Sequence, residues 1–245
     1  MRNLYVLLFS LILFSLNSCK EDSKEGTLTI HFKAVYDAQT LPTFSTRAFE
    51  NGQRIEFTKL SMFIADLKLV QNSTVRDLDD IEQVNLSFDN EVDAAEGYTL
   101  TITNIPAGIY DAIRFGIGVP PDLNAKEPAD FSSSSPLSKT GDYWVAWGSY
   151  IFSKTEGRLD TLGNVTPDLG FALHTGSDAL YLAGESNVSI NIEDGKETNL
   201  DILVDYKSLL MGINIKDYPQ NHTPADTAQI NKIVNNYASA LTLVL

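Results

Sequence analysis

Apolar side chains recur at every second position through most of this chain. Leu28, Ile30 and Phe32 alternate with Thr27, Thr29, His31 and Lys33, the spacing by which a strand buries one face and wets the other. The pattern returns at Val84-Leu86-Phe88, at Tyr98-Leu100-Ile102, at Ile113-Phe115-Ile117-Val119, and in residues 55–57, 169–173, 188–192 and 200–204. Turn signals such as Asn51-Gly52, Pro106-Ala107-Gly108 and Asp194-Gly195 separate the runs. Many short alternating strands joined by turns predict an all-β chain, an antiparallel β-sandwich. The period changes only near the end. Thr223 and Pro224 read as the N-cap and first turn of a helix that carries Ile230, Ile233, Val234 and Tyr237 on one face, and a second short helix is expected over 206–211. No linker divides 27–245, so the body reads as one domain. Residues 124–140, rich in Ser, Pro and Asp, form a long surface loop of a kind that compact domains keep for function.

The first residues are of a different kind. Arg2 precedes an apolar run over 4–16, then Asn17-Ser18-Cys19, after which the chain turns polar at Lys20-Glu21-Asp22. The run is too short to span a bilayer and reads as a signal peptide, 1–18. Leu16-Asn17-Ser18-Cys19 resembles a lipobox, which makes Cys19 the acylated first residue of the mature chain and 19–26 a solvated tether. Lys20-Glu21-Asp22 resembles the acidic export tag of bacterial surface lipoproteins. The expected location is therefore the outer membrane or cell surface of a Gram-negative envelope, with the membrane held through lipid alone.

Charge and motifs narrow the function. The 18 basic and 32 acidic residues give a net charge of −14, which repels phosphate backbones and argues against nucleic acid as a partner. A single cysteine supplies neither an internal disulfide nor a structural zinc site. The chain has no Gly-x-Ser-x-Gly elbow, no phosphate-binding loop and no His-Glu-x-x-His helix, so a non-catalytic role is expected. Asp77-Leu78-Asp79-Asp80 lacks the spaced Gly and terminal Glu of a calcium loop and reads as a solvated turn.

The densest aromatic stretch is Tyr143-Trp144-Val145-Ala146-Trp147-Gly148-Ser149-Tyr150-Ile151-Phe152, which holds both tryptophans. Three residues apart on a strand, Trp144 and Trp147 would point to opposite faces, one ring in the core and one toward solvent or ligand; plain core packing of both is the plainer alternative.

Five ordered blocks carry a resemblance. They are residues 57–69 (Phe57-Thr58-Lys59-Leu60 onward), 105–119 (Ile105-Pro106-Ala107-Gly108 onward), the Trp-rich run through Ser153-Lys154-Thr155-Glu156-Gly157, Phe171-Ala172-Leu173-His174-Thr175-Gly176, and the tail from Asn214-Ile215-Lys216-Asp217 through His222. Together they resemble the MbnP-like (MbnP/CorA-like) copper-binding family. The resemblance implies an envelope β-sandwich that binds copper, with histidines holding Cu(I) and a tryptophan oxidised to kynurenine by a partner di-haem oxidase of the MauG type. Imidazole is a suitable copper donor, and an aromatic beside the metal is exposed to oxidation. On that reading the metal candidates are His174, His222 and His31, with Met62 or Met211 as a thioether donor, and the oxidation candidates are Trp144 and Trp147. The other reading is a surface module that binds a glycan or a protein through its long loop and exposed aromatics, the histidines being incidental.

Overall fold

The computed structural model describes residues 24–164, 166–221 and 228–245. The first strands in chain order are β1 (Glu25–Tyr36), β2 (Gln39–Thr40), β3 (Thr46–Ala48), β4 (Arg54–Gln71) and β5 (Thr74–Asn85). They are followed by helix α1 (Glu91–Glu96), β6 (Tyr98–Pro106), β7 (Gly108–Ile117) and the single turn α2 (Pro121–Asn124). Next come β8 (Tyr143–Trp144), β9 (Ser149–Tyr150), β10 (Ser153–Leu159), β11 (Leu169–Thr175), β12 (Leu182–Ile192) and β13 (Glu197–Asp205). The chain continues with α3 (Tyr206–Leu209), β14 (Gln220–Asn221), α4 (Ala228–Ala240) and β15 (Leu241–Val244). Cys19 and the proposed helix start at Thr223 and Pro224 lie outside the described residues.

Two sheets enclose one apolar core. In the smaller sheet β1 is central, flanked by β13 and β6. Its alternation works as expected: Leu28, Ile30 and Phe32 are buried, while His31 and Lys33 face outward. In the larger sheet β4 is the hub. Met62 is paired with Val84 of β5 and with Ser153 of β10, and Ile64 with Glu82 of β5 and Ile117 of β7. So β5 runs along one edge of β4, and β10 and β7 share the other. Between the sheets Phe57 meets Phe171 edge-on at 6.2 Å and Tyr206 at 5.6 Å, and each such ring pair contributes about 0.5–1.5 kcal/mol beyond area burial.

Three features differ from the sequence reading. The sheets are mixed, since β1 runs parallel to β13 and β11 parallel to β14. Asp77 to Asp80 sit inside β5 rather than in a turn; β5 is a largely exposed strand, and its polar sequence lacks the apolar alternation that marks a half-buried one. Segment 124–140 is a surface segment as expected, but it is not loose. It is tied down by 3₁₀ turns at Pro128–Asp130 and Pro136–Ser138, buries Asn124 and Leu137, and receives the Tyr150 hydroxyl on the Leu137 carbonyl at 2.8 Å.

That segment and the β8–β9 hairpin form a partial third layer on the outer face of the larger sheet. Residues 60–65 of β4 are consequently buried on both faces, and outward-facing Phe63 packs edge-on against Tyr150 at 6.2 Å. Burial pushes the phenols of Tyr36, Tyr150 and Tyr237 up to about 12 from the usual 10.0. A raised folded-state value contributes stability that is complete below the unfolded value and lost as pH climbs through the folded one. Alkaline titration should therefore show far-ultraviolet β signal and tyrosinate absorbance changing together between pH ~10 and ~12. Full ionisation near pH ~10 with the β signal intact would contradict this burial.

Candidate metal centre

The site is built on two neighbouring strands. β10 and β11 pair antiparallel with Lys154 opposite His174 and Glu156 opposite Ala172, so Lys154, Glu156 and His174 share the outer face of the sheet. An outward strand position is normally wet, yet His174 is only 6% exposed. Its cover is the β8–β9 hairpin. The Trp144 ring lies 6.3 Å from the His174 ring at 33°. The hairpin closes through the amides of Trp147 and Gly148, both bonded to the Trp144 carbonyl at 2.9 Å.

Close approach of the hairpin depends on a glycine. A Cβ at Gly176 would stand 2.6 Å from the Tyr150 carbonyl oxygen and 2.7 Å from the Trp144 ring. No side chain at 176 leaves the hairpin where it is.

Hydrogen bonds orient the imidazole. Nε2 of His174 is 2.9 Å from Glu156 Oε1. A carboxylate only accepts, so Nε2 carries a proton, and in the neutral ring the lone pair is on Nδ1. Asn221 of β14 donates to the His174 carbonyl at 2.6 Å. Glu156 was not singled out by sequence reasoning; its alternation with Lys154 was visible, but the neighbour strand that brings His174 beside it was not.

The other candidates fall in different places. His31 is on the outer face of the smaller sheet, on the far side of the sandwich from His174. Its Nε2 donates to Asn199 Oδ1 at 3.0 Å and its Nδ1 is hydrogen-bonded to the Thr99 hydroxyl at 3.1 Å, so the ring bridges β6 and β13. His222 lies outside the described residues. Met62 is in the core and Met211 is exposed in the turn after α3. Neither tryptophan belongs to the core proper: Trp144 is half-buried over His174, and Trp147 is 56% exposed at the hairpin tip beside exposed Val145. Among the described residues no group of three or more His, Cys, Asp or Glu could hold a metal ion. The donors present, one oriented imidazole with a carboxylate behind it, fit one ligand of a copper centre.

Two mixed sheets around one apolar core, with the β8–β9 hairpin over one outer face, make this chain a β-sandwich. The MbnP family model matches residues 25–226, and the chain belongs to that family. A solved structure, MbnP from Methylosinus trichosporium, is similar in fold with a TM-score of 0.55 and 13% identity, over 84% of this chain and 83% of that one. A comparison with the curated proteins finds no match.

Gly176→Ala tests the close approach. It should push the hairpin off and shift Trp144 emission to the red in a Trp147→Phe background, while far-ultraviolet circular dichroism stays as in the parent. An unchanged emission maximum would mean that Trp144 does not rest on this glycine.

Proposed function

We propose that this protein is a non-catalytic, lipid-anchored copper-binding protein of the cell envelope, with His174 as a metal ligand and Trp144 as the residue exposed to oxidation. The observation that carries the reading is the Trp144 indole lying over a buried imidazole whose Nε2 is held by Glu156. Family membership supports the copper association. The second imidazole in this proposal is His222, the residue joined directly to Asn221, whose side chain holds the His174 carbonyl.

Each residue of this chain has a definable part. Glu156 keeps the proton on Nε2 and so makes Nδ1 the donor atom, the arrangement in which a carboxylate behind a ligating histidine raises its basicity. Asn221 holds the backbone of β11 at the site. Trp144 excludes water from the ring. Copper bound there would supply one-electron chemistry next to the indole. A partner di-haem oxidase of the MauG type would then have Trp144 as its target and exposed Trp147 as the second candidate. Membrane attachment is assigned to acylated Cys19.

The test is Cu(I) retention by the mature domain against a competing chelator. Glu156→Gln should weaken binding about 10–100-fold, and His174→Ala should weaken it more, while His31→Ala should match the parent. Equal retention by His174→Ala and the parent would overturn the site. Exposed Val145 and Trp147 at the hairpin tip favour the second reading, a glycan- or protein-binding module; it becomes the better one if the parent itself retains no copper. Separately, Cys19→Ala should release the protein from membranes, and a variant that survives a carbonate wash on the membrane would contradict lipid anchoring.

A further inference from the structure

The hairpin that covers His174 is fastened at one point by charge. Asp142, the residue before β8, accepts Lys154 Nζ on Oδ1 at 2.6 Å, and the same ammonium donates to the Gly141 carbonyl at 2.8 Å. The pair is shielded, with the side chains of Lys154 and Asp142 only 11% and 13% exposed. The other Asp142 oxygen accepts Gln83 Nε2 at 2.6 Å, and Gln83 Oε1 accepts Lys139 Nζ at 2.7 Å. Gln83 is on β5 and Lys154 on β10, the strands on opposite edges of β4. Asp142 therefore spans the outer face of β4 and pins the start of the hairpin to both flanking strands. The backbone repeats the tie where the hairpin ends, with the Ile151 amide on the Asp142 carbonyl at 2.8 Å.

Lys154 is also the cross-strand neighbour of His174. One strand position thus fixes the hairpin, and the position opposite it carries the imidazole that the hairpin covers. A shielded ion pair of this kind adds little net stability against an apolar replacement, but loss of one partner strands the other's charge. Its residue types are better explained by where they hold the chain than by how much they stabilise it.

We infer that Lys154 and Asp142 are the positioning pair of this site, holding Trp144 over His174 and so setting how far the imidazole is open to solvent and ligand. The inference deepens the proposed copper role, which it takes as its reading of His174, but its geometry does not need the metal.

The experiment is run without copper on the mature domain in a Trp147→Phe background, so that Trp144 alone reports. Two quantities are read: acylation of His174 by diethylpyrocarbonate, located by peptide mass, and the Trp144 emission maximum. Lys154→Met keeps the stem and removes the charge. It should raise His174 acylation by about tenfold or more, as expected when a local opening becomes easier, and shift the emission to the red, with circular dichroism of the sandwich unchanged. Lys154→Arg, which restores the cation, should return both readings toward the parent. If Lys154→Met does not fold, Asp142→Asn serves, since it keeps the shape and removes only the charge. His174 acylated at the parent rate in a folded single variant, with Trp144 emission unmoved, would overturn the inference. So would an arginine variant that opens the site as far as methionine does. A latch confirmed in a domain that retains no copper would instead sink the copper reading and leave the latch standing.

Discussion

The ladder of hydrogen bonds along both edges of β4 is what the rest of the molecule depends on. Eighteen residues long, this strand is shared between β3 and β5 on one edge and β10 and β7 on the other. Its inward residues, Phe57 and Leu60 among them, anchor the core against the smaller sheet. Outward-facing Phe63 gives the 121–152 excursion an apolar seat on a face that would otherwise be wet. Backbone pairing sets where Gln83 and Lys154 stand on either side, and those two residues set where Asp142 and the hairpin can lie. The candidate metal centre is thus a consequence of strand order before it is a matter of its own side chains.

The chemistry follows from covering a polar strand position. A histidine on the wet face of a sheet shares its hydrogen bonds with water unless its strand neighbours take them. Under the Trp144 ring, with Glu156 on Nε2 and Asn221 on its carbonyl, His174 has one ring orientation and a proton held on Nε2. Preorganisation of this kind removes the ordering cost from ligand binding. His31 shows the contrast. It is equally well bonded, but its two partners are its own cross-strand neighbours, and the result is a bridge within a sheet.

Much of the fold was legible because half-buried strands write their burial into alternation. β1, β6, β7 and β13 follow that rule. β5 did not, since an exposed edge strand needs no apolar face, and Asp77 to Asp80 looked like a turn for that reason. Parallel pairing of β1 with β13 was hidden because alternation reports faces and not neighbours. At the site, His174 and Trp144 were visible as candidates, and segment 124–140 was visible only as a long surface loop, without the turns that tie it down. Their convergence was not, since it requires the hairpin to fold back on the outer face; nor was Glu156, which becomes a partner only through the register of β10 on β11. Gly176 sits in the sequence two residues after His174, and only the approach of the hairpin gives it meaning.

The central claim, that copper is held at the imidazole beneath Trp144, is tested most directly by an anomalous-difference map at the copper edge from crystals of the mature domain loaded with Cu(I). The account predicts one dominant peak bonded to Nδ1 of His174, below the Trp144 indole, with Glu156 still on Nε2. A peak confined to surface carboxylates, or at His31, with the His174 ring unliganded, would contradict it.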